Sequence, residues 1–353
     1  MTTCTSLDFG RPLSGTKELR ALLGQGILNS NGAHWAHQRK IIAPELFVDK
    51  VKVSTLLDTW ESIIENQGGI ADIKIDEHMR SFAGDVVSRA CFGSNFSRNK
   101  EIFSKLRALE EVTFKAVRSA KVPGMGLLPT KSNRARRAFE KEVRALILKV
   151  VKERKEFGYE NDLLQTLLDG AKIANLSQDS IQQFVVDNCK NIYQAGGATG
   201  VLATWCLMLL ASNQEWQDRV RAEALHVCKG QIPNVDMVLK MKQGVNVWTL
   251  VTTLHTDPEI WGPDAFKFNP ERFANGVSGA CKQPYLYMPF GIGPRVCLGQ
   301  SLAQAELKIL ISLIVTKFSF SLSPKYVHKP SFNLVAISLI EPGNGVDLLV
   351  KKL

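Results

Sequence analysis

The sequence has no pair of cysteines in CxxC spacing. Its seven cysteines, Cys4, Cys91, Cys189, Cys206, Cys228, Cys281 and Cys297, are odd in number and scattered over 353 residues. That excludes a four-thiolate zinc site and argues against a disulfide framework, so a reducing compartment is expected. The opening MTTCTSLDFGRPLSG contains no apolar run of the length a signal peptide or an anchor needs. Internal repeats and low-complexity linkers are also missing, which favours one domain. The formal charge of +10 comes without a helix-turn-helix, a zinc finger or an aromatic single-strand platform, so nucleic acid is not an expected partner. Its basic residues are interleaved with acids in SNRARRAFEKEVRALILKVVKERKEF, Ser132 to Phe157, where Phe139, Val143, Leu146, Ile147 and Val150 recur at helical spacing. The run reads as the solvated face of an amphipathic helix, with docking to an acidic protein as the alternative.

A hydrophobic content of 45% is enough for a sizeable core. Helical periodicity marks Leu56 to Gln67, Asp76 to Gly93, Asn161 to Ala171, Glu215 to Cys228 and Ser301 to Phe318. Between them, Lys121 to Asn133 is rich in glycine and proline and reads as a connecting loop. Ser177 is a candidate N-cap for a long helix over 179–213. Its stretch from Asn191 to Gln214 carries no charge, but Gly196, Gly197 and Gly200 make it a poor membrane span and a better buried central helix. Each glycine costs about 1 kcal/mol relative to alanine, so something is expected to press against the backbone there. The tail, FSFSLS, NLVAISLI and VDLLVKKL, reads as a small antiparallel sheet. The fold class is therefore mainly α with minor β.

One turn stands apart. PFGIGPRVCLGQ, Pro289 to Gln300, sets Cys297 among Gly291, Gly293 and Gly299, with Arg295 beside it and a helix starting behind it. Free N–H groups at a helix start and a nearby cation favour a thiolate, so a low-pKa cysteine is expected. Such a thiol is a nucleophile, a redox sensor or a metal ligand, with an ordinary buried thiol in a glycine-rich turn as the plainer alternative. The six histidines, His34, His37, His78, His226, His255 and His328, show no arrangement that supplies a base to a nucleophile. A single axial thiolate to iron needs none.

The same residues carry a resemblance. FGIGPRVCLG resembles the haem-binding signature of the cytochrome P450 family at Phe290, Gly293, Arg295, Cys297 and Gly299, and QSLAQAELKIL after it is similar to the family's next helix. FNPERF and DPEIWGPDAFKF resemble the segments before the haem loop, and GAHWAHQRKIIAPELF, Gly32 to Phe47, resembles the C helix. The wording is most similar to plant microsomal members, in the branch that modifies gibberellins and other terpenoids. The resemblance implies a cytochrome P450 fold with a central I-like helix over 179–213 and a haem-binding loop over 289–300. It implies haem b, iron protoporphyrin IX, with Cys297 as the metal ligand. Trp35, Arg39 and Arg295 would hold its propionates, Phe290 would shield the sulfur, and Gly299 would complete the loop. Thr199 is implied as the catalytic hydroxyl. Electrons would come from NADPH through NADPH-cytochrome P450 reductase, and the substrate would be a hydrophobic small molecule. The family's place is the cytosolic face of the endoplasmic reticulum membrane, with peripheral membrane contact for a chain without an evident anchor.

Three departures weigh against a complete enzyme. AGGATG, Ala195 to Gly200, keeps Thr199 but has Ala198 where the family carries an acid and Gly200 where it carries a second hydroxyl. Between VLKMKQ and GVNVWTLVTTLH, Gln243 runs straight into Gly244, and the family's helix with its ExxR pair is missing. Glu77 to Arg80 is the only local ExxR match and lies in another helix. Arg272 is therefore expected to lose the partners of a buried triad, at a typical cost of about 3–5 kcal/mol, unless it turns to solvent or finds Glu271 or another acid. Only about thirty residues stand before Gly32, so the chain reads as a partial, incomplete P450 domain over 1–353. The alternative function is a catalytically impaired haem-binding remnant or a non-enzymatic interaction protein.

Overall fold

The computed structural model describes residues 19–46, 53–92, 96–119, 130–158, 162–173, 177–228, 255–291, 293–333 and 339–353. The elements in order are α1 (Arg20–Leu23), α2 (Gly32–Ile42), α3 (Ser54–Asn66), β1 (Ile70–Lys74), α4 (Ile75–Phe92), α5 (Phe96–Ser119), α6 (Lys131–Phe157), α7 (Leu163–Ile173) and α8 (Gln178–Ser212). There follow α9 (Gln214–Cys228), α10 (Pro258–Trp261), α11 (Gly276–Ala280), α12 (Gln300–Lys317), β2 (Phe318–Leu322), β3 (Pro330–Asn333), β4 (Leu339–Pro342) and β5 (Asp347–Lys352).

Helix α8 is the axis that two cores share. Its first half gives Phe184, Val185, Cys189, Ile192 and Tyr193 to a cluster with residues of α1, α5, α6 and α7. Its second half gives Ala203, Leu207 and Leu210 to a second cluster with α3, α4, α12 and the sheet. A helix apolar on nearly all sides must be covered on all sides. Its length and composition would also allow a membrane crossing, but 61% of the apolar window is buried inside the fold.

Ser177 caps α8 by accepting from the Ser180 N–H. The helix runs unbroken through its glycines, and what presses on them is α4. A Cβ at Gly200 would stand 2.7 Å from the Met79 carbonyl oxygen, and one at Gly196 would overlap Val87. Gly197 faces nothing within 4 Å of where its Cβ would lie. Two of the three glycines thus let two helices close together, which offsets their propensity cost.

The loop expected over Lys121 to Asn133 needs correction at its end. Lys131, Ser132 and Asn133 are already helical, because Thr130 caps α6 by accepting from the Asn133 N–H at 3.2 Å; residues 121–129 lie outside the described residues. The tail sheet also gains a strand from far upstream, since the order is β1-β5-β2, all antiparallel. Ile73 pairs with Leu348, and Phe320 with Val350. Alternation puts Ala71, Ile73, Leu348, Val350, Phe318 and Phe320 into the core. β3 and β4 form a separate pair. Residues 334–338 of NLVAISLI, Gly93, and residues 244–254 of GVNVWTLVTTLH fall outside the described residues.

Candidate functional site

The Cys297 turn is closed by its own backbone. Gly291 and Gly293 take φ of +73° and +74°, which other residues rarely adopt. The Cys297 N–H donates to the Phe290 carbonyl at 2.8 Å, and the Val296 N–H to that of Gly293 at 3.1 Å. Gly299 is the N-cap residue of α12. A Cβ there would meet only Leu46 at 3.8 Å, so packing leaves room at this glycine. Phe290 is half-buried.

Among the described cysteines whose side chains are placed, Cys189, Cys206, Cys228 and Cys281 are buried and Cys297 is exposed. The buried thiols are pushed up in pKa by desolvation. Cys297 is pushed up too, which corrects the expectation of a low-pKa thiol. Desolvation by the surrounding protein outweighs the opposing pull of the Gly299 N–H and the Arg39 charge. The acting cation is also Arg39, not the neighbouring Arg295.

Arg295 turns to other partners. Its Nη1 and Nη2 donate to the Ser30 carbonyl at 3.2 Å, and Nη2 donates to Asn31 Oδ1 at 2.9 Å. Its guanidinium stacks 4.4 Å from the Trp35 ring centroid, and that of Arg39 lies 5.6 Å from the same centroid. Arg39 Nη1 donates to the Val296 carbonyl at 2.9 Å, one residue before the thiol. Trp35 is buried. Helix α2 thus brings Trp35 and Arg39 to the Cys297 turn, although about 260 positions separate them in the chain.

Thr199 lies elsewhere in this network. It is buried on α8, and its hydroxyl donates to the carboxyl of Glu306 on α12. Glu306 is 2% exposed, and its Oε1 has no hydrogen-bond partner among the described residues. Burial holds its pKa well above the ordinary glutamate value, against the smaller pull of Thr199. The sequence reading gave Glu306 no role; a lone acid among the apolar positions of QSLAQAELKIL was the available signal.

Arg272 is not stranded: of the outcomes left open for it, pairing with another acid is the one the structure shows. Its side chain, 8% exposed, pairs with Asp264 at 2.8 Å, and it donates to the carbonyls of Trp261 at 2.5 Å and Asp264 at 2.9 Å. A short turn of chain supplies what the absent triad would have. Neighbouring Glu271 pairs instead with Arg219 at 3.1 Å. Glu77 faces Lys74 at 3.3 Å and Arg80 pairs with Asp76, so no ExxR pair forms there.

These residues fit an iron porphyrin by their chemistry. One reachable thiol would serve the metal, and the two guanidinium groups and the indole clustered beside it suit the carboxylates of the ring. A neutral thiol is no obstacle, because a coordinated metal ion takes it as thiolate.

The family model described as Cytochrome P450 matches residues 7–243 and 232–348. The two stretches overlap at the junction where VLKMKQ meets GVNVW. Cytochrome P450 714C2 of Oryza sativa subsp. japonica is 43% identical, with 100% of this chain and 76% of that protein covered. Cytochrome P450 714A2 of Arabidopsis thaliana is 40% identical, over 98% of this chain and 76% of that protein. The first alignment spans 401 positions against a chain of 353 residues, so that relative carries internal residues this chain lacks. The crystal structure of cytochrome P450DA heme domain matches with a TM-score of 0.78 at 20% identity, over 97% of this chain and 83% of that chain. That likeness is one of fold.

Proposed function

This chain belongs to the cytochrome P450 family, whose general activity is haem-thiolate monooxygenation, and on that premise we propose that the Cys297 sulfur would hold the iron of haem b and that the substrate is a hydrophobic terpenoid or hormone. The observation that carries the reading is the exposed Cys297 thiol in a glycine turn beside Arg39, Arg295 and Trp35.

Bound haem supplies the electron-transfer chemistry that activates dioxygen for insertion of one oxygen atom into a C–H bond. The protein's part is to hold and to protect. Arg39, Arg295 and Trp35 would take the ring carboxylates, and Phe290 would limit water at the sulfur. The Thr199 hydroxyl, bonded to a carboxyl whose pKa burial raises, would hold a proton within the buried space between α8 and α12. Electrons would come from NADPH through the reductase, at the cytosolic face of the endoplasmic reticulum membrane. The plant relatives named Cytochrome P450 714 support assignment to the gibberellin-modifying branch.

A second reading, a haem-binding remnant with impaired turnover, is favoured by Ala198 in the acid position and by the break in the family match. Losing general acid assistance typically costs about 10² to 10⁴ in rate. The ferrous carbon monoxide difference spectrum tests the shared claim. A thiolate-type Soret band is expected and should vanish in Cys297→Ala; a band that survives the substitution refutes the ligand. Product formed per NADPH with reductase, with peroxide release followed alongside, then separates enzyme from remnant.

A further inference from the structure

Four polar side chains within five residues of α8 are buried: Asp187, Asn188, Lys190 and Asn191 are each 2% exposed or less. Burying such groups is costly unless hydrogen bonds replace water. Here the replacement is main chain from residues 19–31. The N–H of Gln25 donates to Asp187 Oδ2 at 2.9 Å, that of Ile27 to Asn188 Oδ1 at 3.0 Å, and that of Leu28 to Asn191 Oδ1 at 2.7 Å. Asn191 Nδ2 donates to the Leu23 carbonyl at 2.7 Å, and Lys190 Nζ to that of Ala21 at 3.2 Å. Lys190 Nζ also lies 2.9 Å from Asp187 Oδ1, so the charges compensate each other.

The fit is close enough to dictate residue type. A Cβ at Gly24 would fall 2.0 Å from the Asp187 carboxylate, and one at Gly26 would fall 2.6 Å from the Asn191 side chain and from the Asp187 carbonyl. Gln38 of α2 ties the strap a second time, donating to the Gln25 carbonyl at 2.9 Å and accepting from Ser30 Oγ at 2.8 Å. The far end of the strap is Ser30 and Asn31, the pair that accepts from Arg295.

We propose that this strap is a strut from α8 to the Cys297 loop, in which Asp187, Asn188 and Asn191 act as positioning residues that set Arg295 through the backbone of residues 23–31. The strut stands on its own hydrogen bonds; only its purpose, a fixed seat for haem, rests on the function proposed above. None of the three α8 residues bonds to the loop directly. Their effect on it passes through Ser30 and Asn31.

The test uses the full chain with hydrogen exchange read at residues 19–31 and 289–299. Asn191→Leu loosens the strut at α8, where Asp187 and Asn188 still hold it, and Asn31→Ala loosens it at Arg295, whose bonds to the Ser30 carbonyl remain. Each is expected to speed exchange at 289–299 by about five-fold, the size of one net hydrogen bond, and the double variant by no more than the stronger single. Gly26→Ala pushes the strap from its own side and should give the same loop signature, which keeps the test sharp if Asn191→Leu does not fold. Faster exchange confined to 19–31, or effects at 289–299 that multiply in the double variant, overturns the proposal. Cys297→Ala serves as control: it removes the thiolate spectrum while leaving the exchange coupling intact. Failure of the haem assignment and failure of the strut thus show in different measurements.

Discussion

The Thr199 hydroxyl on α8 donates to the Glu306 carboxyl on α12, joining two buried polar groups across the second core. The bond gives the buried acid one partner while its other oxygen has none among the described residues. A carboxylate in that place is poorly solvated, so burial raises the Glu306 pKa well above the ordinary glutamate value.

The linkage follows in sign. A carboxyl whose folded pKa is raised contributes stability that is fully present below its unfolded value of about 4.3 and is lost as pH rises through the folded value. Glu306→Gln, neutral and similar in shape, is expected to flatten the fall in Tm above about pH 4.3. Thermal melts from pH 5 to pH 9 check this; parallel curves for the two proteins would show that Glu306 ionises freely. Thr199→Val should raise peroxide released per NADPH if the hydroxyl holds the proton used in turnover.

Two glycines of α8 three residues apart are expected to respond in opposite directions. Gly197→Ala meets open space and should stabilise by about 0.5–1 kcal/mol through helix propensity and a less flexible unfolded chain. Gly200→Ala drives a methyl into the Met79 carbonyl and should destabilise by about 1–3 kcal/mol, as overpacking does. Urea unfolding of both variants decides it, and equal effects would mean that α4 does not hold α8 as closely as described.

Arg272→Ala is expected to cost about 2–4 kcal/mol, because the Trp261 and Asp264 carbonyls lose a charged donor in a half-buried setting. Asp264→Ala should destabilise as well, and its effect should fade toward acid pH. The Asp264 carboxyl is held below the ordinary aspartate range by its bonds to Asn269 and Arg272, so the stability it adds is present above the unfolded value and lost as pH falls through the folded one. Chemical denaturation at pH 3 and pH 7 measures the difference; a wild-type response in Arg272→Ala would show that the local partners are idle.

Helices with long amphipathic repeats were legible in the sequence, and so was the cap at Ser177, since both are local properties of a few turns. β1 was not. One of its outward residues is apolar Ile70, 55% exposed, while small Ala71 shares the inward face with Ile73, so the apolar alternation that marks a strand is blurred. The family signature around Cys297 was legible because five of its positions fall in ten residues. Glu306 and the Asp187 to Asn191 group stayed silent, because a polar residue on a helix looks the same in sequence whether water or another segment satisfies it.

Composition and periodicity by themselves determined a mainly helical chain with one long core helix, uncharged from Asn191 onward, and the Cys297 motif determined the family. Tertiary structure decided which charges meet: Arg39 rather than Arg295 acts on the thiol, Asp264 takes over Arg272, and α4 claims the glycines of α8. The reason is that propensity and patterning act over a few residues, whereas partner choice for a buried polar or charged group depends on what the folded chain brings within about 3 Å of it, often from more than a hundred positions away.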